Sequence, residues 1–429
     1  MSDRIGLGES VAMAVGGMVG GGIFAVLGVV AAQAGTAAWL AFLVSGVVAL
    51  AAGYSFVRLN GVVDEPTGPV ALVETVTGNT TLAGMIGWTF VIGYVGTMGL
   101  YAYAFGSYFV GLVGVDTVGP VPLRPLVSAG VVVVFIGINV LGAHASGRTE
   151  DTLVGLKVLI LLAFCGGGLY YGATRGQLTL GIDQFGVGPA VAGAIAFVAF
   201  EGWELLLFDQ ESIRNPRETV KTAIFVSIPF VTALYVLVAL VTTSLLPAAR
   251  IQADAETALA VAAEPVFGTV GFLLIGVAAL FSTASALNAT LFSTARLVRQ
   301  LATEDMLPSR LTTADGEPVR SLALLGALTM LLSAFGSLDA ISSFASLAFV
   351  TIFGLISYLA FRYRSASRWS SAGPVLGVLG AVSTVVALCW YLATQEFGTF
   401  LVVLTLSTLV MLLELLYFER KPVERTLLE

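Results

Sequence analysis

Hydrophobic positions in this chain do not alternate with polar ones; they run. Apolar stretches follow one another from end to end, punctuated by short clusters of charge, Gly and Pro. A bilayer-spanning helix needs about 20 mostly apolar residues. Windows of about that length predict spans near 7–34, 36–58, 82–113, 125–143, 150–172, 189–208, 221–246, 265–300, 320–337, 339–361, 373–393 and 397–418. The third and eighth are longer than a bilayer requires, so they should tilt or project beyond it. Two connections, Asn60 to Thr80 and Thr303 to Pro318, are longer than a turn needs, and a third loop is acidic. Asn60 to Thr80 carries the helix-breaking Asp64-Glu65-Pro66-Thr67-Gly68-Pro69, Pro247 to Glu264 carries Asp254, Glu256 and Glu264, and Thr303 to Pro318 includes Asp315-Gly316-Glu317-Pro318.

Two of the spans are interrupted. The first holds Gly16, Gly17, Gly20, Gly21 and Gly22, five glycines in seven positions of an otherwise apolar segment. Glycine is a poor helix former. A break at mid-membrane is tolerable only where the freed backbone lines a protein-buried cavity. The same glycines would also suit a close-packing surface, with Gly16 and Gly20 one turn apart. The sixth span reads Phe197-Val198-Ala199-Phe200-Glu201-Gly202-Trp203-Glu204, two carboxylates around Gly-Trp at mid-depth. Each acid costs about 2.5–3.5 kcal/mol at a helix centre, so both should face a polar interior. Spans one and six lie five apart. A five-span unit has an odd count, so its repeat enters the membrane inverted. Paired interruptions in inverted halves point to a transporter site at the midplane. That pairing favours a ligand cradle at the glycine run over a packing face.

Lys157 is the third informative position, about two turns into the fifth span. Its ammonium either snorkels to the headgroups or finds carbonyl and hydroxyl partners inside, where it could take up and release a proton during transport. Ser282 and Ser285 on the eighth span offer hydroxyls, which would equally bond back to their own helix.

Composition fits a polytopic membrane protein: 57% of the 429 residues are hydrophobic and 11% charged, with a mean hydropathy of +0.95. Soluble domains are nearer a quarter charged. No apolar-poor block of domain size is left for catalysis or nucleic-acid binding. The net charge of −7 offers nothing to a polyanion. Cys165 and Cys389 both fall inside spans and imply no disulfide framework. His144 cannot build a metal site alone. Of the 20 Lys and Arg residues, Arg124, Arg175 and Arg250 fall in loops on one side and Lys157 inside a span, leaving sixteen on the other side. The positive-inside rule then predicts that both termini are cytoplasmic.

Met18-Val19-Gly20-Gly21-Gly22-Ile23-Phe24 resembles the first-helix "IGSGIF" signature of the amino acid–polyamine–organocation superfamily. Phe197 to Glu204, followed by Glu211-Ser212-Ile213-Arg214-Asn215-Pro216-Arg217, resembles its sixth helix and the Asn-Pro-basic stretch beyond it. Ser285 to Pro308, ending Ala302-Thr303-Glu304-Asp305-Met306-Leu307-Pro308, resembles its eighth helix and tail. The match covers the first ten spans. One departure is Gly21, where many members carry Ser, so a hydroxyl donor is lost.

The resemblance implies an all-α, leucine-transporter-like fold of 12 transmembrane helices. Residues 1–172 and 189–361 would form two inverted five-helix repeats with helices 1 and 6 broken, 373–418 two additional helices, and 419–429 a cytoplasmic tail. It implies a secondary transporter in the cytoplasmic membrane, moving amino acids or related amino-carboxylate metabolites by alternating access, not an enzyme. Proton coupling or exchange without sodium is implied, and no cofactor or metal. Backbone N–H groups of Gly20, Gly21 and Gly22 would hold the substrate carboxylate. Carbonyls at Met18, Ile195 and Val198 would take its ammonium. Lys157 would stand where sodium sits in sodium-driven relatives, and Glu201 would couple charge to gating. Phe24, Phe200 and Trp203 are candidates to shut the site from water. A sodium-coupled carrier of another small solute, a channel and a non-transporting sensor stay open on the residues alone.

Overall fold

The computed structural model describes residues 4–63, 67–141, 147–208, 210–308, 311, 319–364 and 370–428, with the side chains of 147–151, 414–415 and 418–428 left aside. Asp64-Glu65-Pro66, His144 and Asp315 to Pro318 lie outside the described residues, as do Arg310 and Arg368. Among the described residues every predicted apolar stretch contains α-helix. The first two are α1 (Leu7–Ala34) and α2 (Ala38–Asn60), joined by one 3-10 turn at Gly35–Ala37. Then come α3 (Pro69–Thr77), α4 (Thr80–Val113), α5 (Leu123–Val140) and α6 (Gly147–Thr174). The sixth stretch holds α7 (Val187–Ala196), and α8 (Pro216–Leu245), α9 (Ala248–Ala253) and α10 (Ala258–Thr303) follow. The chain ends with α11 (Val319–Phe335), α12 (Leu338–Arg362), α13 (Ala372–Gln395) and α14 (Phe397–Leu428). A two-residue hairpin, β1 (Thr117–Val118) with β2 (Val121–Pro122), caps the α4–α5 connection.

Nine stretches of the described residues are long and apolar enough to cross a membrane; the first, Leu7–Asn60, contains both α1 and α2, and Val319–Phe335 and Phe397–Leu413 are shorter apolar helices. The bundle exterior carries exposed Val134, Leu159, Val270, Leu331, Leu379 and Val386. An apolar surface of that extent is suited to lipid. The chain is a multi-pass helical membrane protein.

One expectation needs correction. The first helix is not broken: α1 is continuous through Gly20–Gly22. Glycine lowers helix stability by about 1 kcal/mol per residue, whereas an unpaired backbone group in an apolar interior costs several, so the run stays helical and uses its missing side chains for packing. The Asn60 to Thr80 connection interrupts the helices as expected, and Pro69 takes the first turn of α3, where its missing N–H costs nothing. The long eighth stretch is bent near its start. Its helix is two segments meeting at Gly268, whose φ of 63° and ψ of −155° leave helical space.

The sixth stretch is broken as expected. α7 gives way to a 3-10 turn at Phe197–Phe200, then to extended backbone at Glu201 (φ −72°, ψ 152°). Gly202 follows at φ 116°, which an L side chain would resist, and a second 3-10 segment runs from Trp203 to Phe208. At the face of the bundle where α1 begins, the chain after this break returns to the N-terminus. The Ile5 N–H donates to the Ser212 carbonyl (2.9 Å), and the Arg214 N–H to the Ile5 carbonyl (2.9 Å). Asn215 then adopts φ 49° and Pro216 starts α8. We call this the near face and the opposite one the far face.

Candidate functional site

The break in the sixth stretch is clamped from α12. The Ser346 Oγ donates to the Ile195 carbonyl (2.9 Å) and accepts the Val198 N–H (3.0 Å). One hydroxyl thus satisfies two backbone groups that the end of α7 would otherwise strand. Beyond it, Glu201 and Glu204 are 3% and 0% exposed. Glu201 accepts a short hydrogen bond from the Thr97 hydroxyl on α4. Glu204 accepts from the Tyr94 hydroxyl (3.3 Å) and the Gly202 N–H (2.8 Å). Both acids are therefore tied to α4 or to the turn itself.

α1 lies flush against this turn. A Cβ on Gly17 would sit 2.7 Å from the Gly202 carbonyl oxygen, and one on Gly22 2.6 Å from the Ala199 Cα. The remaining glycines admit other elements: Gly20 meets the Ala286 Cβ at 2.5 Å and Gly16 the Val154 side chain at 2.6 Å. Gly21 admits the Tyr101 ring, whose Cδ1 is 2.0 Å from an ideal Cβ. Carbonyls of α1 are also held from outside the helix. The Tyr235 hydroxyl of α8 donates to Met18 (2.7 Å), Ser282 of α10 to Val19 (2.7 Å), and Tyr108 of α4 to Phe24 (3.1 Å). The Lys157 ammonium donates to the Gly16 carbonyl at 2.9 Å and is 6% exposed, so it turns into the bundle rather than snorkelling.

A cavity of about 580 Å³ enters from the near face. Arg299, Gln300, Thr303 and Glu304 stand at its mouth, and it reaches inward along α1 and α10 to Gly16, Gly17, Tyr101, Lys157, Glu201 and Gly202. Its size is that of a small-molecule site. Among the predicted site residues, Lys157, Glu201 and Ser285 border it. Gly20, Gly21, Gly22, Met18, Ile195 and Val198 do not; they are buried behind its inner end. Phe24 meets Tyr108 edge-on (6.3 Å between centroids), Phe200 meets Tyr235 (5.3 Å), and Trp203 stacks on Phe353 (5.2 Å). These three rings pack the core beyond the cavity.

On the far face the route is shut. The Ala255 carbonyl oxygen lies 1.9 Å from where a Gly28 Cβ would be, so the turn after α9 rests on α1. Glu256 on that turn accepts from the Tyr103 and Ser107 hydroxyls of α4, each at 2.6 Å. Arg124 of α5 covers the Tyr103 ring at 3.8 Å.

A one-sided cavity ending at a broken helix is an arrangement for taking up a small solute and passing it on. The profile of the family described as amino acid permease matches residues 5–413. The chain belongs to that family. This permease is 32% identical over 355 residues to an uncharacterized protein of Methanocaldococcus jannaschii, covering 82% of this chain and 80% of the other. It is 28% identical over 398 residues to the inner membrane transport protein YbaT of Escherichia coli, covering 91% of each. To the methylthioribose transporter of Bacillus subtilis it is 24% identical over 362 residues, covering 80% of this chain and 77% of that one.

Several residues that shape the permease's cavity and its closures carry no signal in the sequence. Tyr101, Tyr235 and Ser346 are isolated polar groups in apolar helices, and only the fold shows what they hold. Asn139 and Asn288 border the cavity as well. Asn288 ends the polar stretch of the predicted eighth span that begins at Ser282, and its amide is a polar group that needs a partner in lipid.

Proposed function

We propose that this permease is a secondary transporter that carries amino acids or related amino-carboxylate metabolites across the cytoplasmic membrane by alternating access. The observation that carries the reading is the one-sided cavity, which runs from the near face to the Gly17–Gly202 contact with Lys157 and Glu201 on its walls. Alternating access requires a central site open to one side at a time, and a sealed far face with an open near face is one end-state of such a cycle. In this reading the chain crosses the membrane twelve times as two inverted five-helix repeats plus two helices, and the near face is cytoplasmic.

The substrate carboxylate binds N–H groups of Gly20, Gly21 and Gly22 when α1 loosens there, and its ammonium takes carbonyls at Met18, Ile195 and Val198. Those carbonyls now accept from Tyr235, Ser346 and the Glu201 N–H (3.2 Å). Substrate therefore competes with internal donors, which keeps the empty site satisfied. Lys157 supplies a fixed positive charge against α1 in place of a sodium ion, and transport is coupled to protons or to exchange. Glu201 links charge to gating. Phe24, Phe200 and Trp203 exclude water.

Uptake of radiolabelled amino acids into proteoliposomes, with and without a pH gradient and with and without sodium, tests this. Saturable, sodium-independent uptake is expected. Non-saturating ion flux would replace the transporter with a channel, and strict dependence on sodium would remove the role given to Lys157.

A further inference from the structure

Where α5 and α10 border the cavity, two amides have unspent hydrogen-bonding capacity. Asn139, near the end of α5, donates from Nδ2 to the Phe135 carbonyl (2.8 Å) and to the Asn288 Oδ1 on α10 (2.8 Å). Both Nδ2 hydrogens of Asn139 are thereby used, and the bond to Phe135 fixes which way its amide points, since a carbonyl accepts only from nitrogen. Asn288 must then turn its oxygen to Asn139. What remains is the Asn139 Oδ1, an acceptor, and the Asn288 Nδ2, with two donors. Both side chains are half-buried and border the cavity.

We infer that this amide pair selects a substrate whose side chain ends in a carboxamide. A carboxamide brings one acceptor and one donor on the same planar group, the complement of what the pair leaves open. A carboxylate would set an oxygen against the Asn139 Oδ1, and an aliphatic side chain would leave both amides unpaired. Leaving a site's buried polar groups unpaired discriminates strongly against the analogue that lacks the partner group. The position also suits a side chain rather than a backbone. Asn288 is two residues beyond Ala286, the residue seated on Gly20, so it lies about 200° further round α10 and faces away from the glycine run. Its amide therefore meets the part of a substrate that extends from the glycine run into the cavity. Ser285, Asn288 and Phe292 recur at helical spacing along the part of α10 that borders the cavity. The inference rests on the transporter reading for its substrate class, but the binding it describes does not require transport.

The test is equilibrium binding to the full-length protein in detergent, with L-glutamine and L-leucine competing against labelled L-alanine, beside uptake in proteoliposomes. Wild type should prefer glutamine to leucine. Asn288→Ala and Asn288→Asp should each lower the glutamine-to-leucine affinity ratio about tenfold, the size of one lost hydrogen bond with its stranded partner. A ratio taken on one protein cancels any general loss of folded material. An unchanged ratio in both variants, or no glutamine preference in wild type, overturns the amide assignment and leaves the transporter reading standing. Binding with the expected ratios but without uptake supports the amide assignment and overturns transport. Failure to bind any of the three amino acids overturns the amide assignment, and uptake of other amino-carboxylates then decides the transporter reading separately.

Discussion

The Tyr101 ring occupies the space that a side chain on Gly21 would need, with its Cδ1 2.0 Å and Cε1 2.3 Å from the ideal Cβ position. Tyr101 also borders the cavity, so a single ring stands between the cavity and the glycine run. Gly21→Ala should therefore force the ring aside at a cost of about 1–3 kcal/mol, the usual range for overpacking. Thermal unfolding in detergent checks this, and adding Tyr101→Leu should recover much of the loss, because residues in direct contact are coupled. Equal destabilisation in single and double variants would mean that the ring and the glycine are independent.

Ser346 gives the second prediction. Its hydroxyl serves the Ile195 carbonyl and the Val198 N–H at once. Ser346→Ala strands both in a buried place, and each unsatisfied group costs about 1–3 kcal/mol. The variant should unfold at lower temperature and its sixth stretch should exchange amide hydrogens faster. Unchanged exchange at 195–201 would show that the break holds without its clamp.

How far these features were legible in the sequence depends on how local their causes are. The helices were, because a bilayer demands long apolar runs and nothing else produces them. So was the break in the sixth stretch, since Glu201-Gly202 combines a buried acid with the one residue that tolerates φ 116°. The break expected in α1 was not there. Low helix propensity is local to Gly20–Gly22, but the partners that keep the run helical, Tyr101, Ala199 and Ala286, come from three distant elements. Gly268 escaped notice for the opposite reason, as a lone glycine in an apolar helix looks the same whether or not it bends.

Trp203 carries the third prediction. The ring is fully buried and stacked on Phe353, but its Nε1 has no hydrogen-bond partner among the described residues. Trp203→Phe removes that donor together with part of the ring. Losing an orphaned polar group offsets the lost burial, so stability should change by less than about 1.5 kcal/mol, below the about 3–5 kcal/mol typical of deleting a large core aromatic to Ala. Thermal unfolding of W203F beside W203A separates the two. A W203F loss as large as that of W203A would mean the N–H is paired.

Lys157 provides a fourth. Its ammonium bridges α6 to the Gly16 carbonyl at 2.9 Å. Lys157→Ala removes both the charge and this tie, and uptake driven by a pH gradient should be lost. Lys157→Met keeps the length and apolar stem but not the charge, so it separates the two effects. If Met restores gradient-driven uptake, the residue acts by packing alone; if neither variant responds to the gradient, the charge is what matters.

The far-face closure depends on Glu256, and its test is the most direct. Its two carboxylate oxygens accept from different hydroxyls, Tyr103 and Ser107, at 2.6 Å each. Hydrogen bonds to an ionised group are about twice as strong as neutral ones, and this pair fastens the turn after α9 onto α4, with the Ala255 carbonyl against Gly28. Glu256→Gln keeps the shape but replaces one acceptor with an amide nitrogen, so one of the two hydroxyls must turn from donor to acceptor and that tie is weakened. The turn should then open more often, and amide exchange across residues 254–257 should quicken about tenfold or more, as follows from losing roughly 1.5 kcal/mol. Tyr103→Phe should act in the same direction through the other arm. Because alternating access opens one side at a time, labelling of a cysteine introduced at Thr303, at the near-face mouth, should fall as the far face opens. Exchange at 254–257 that stays at the wild-type rate in both variants would place the far-face seal in the Ala255–Gly28 contact and not in the carboxylate.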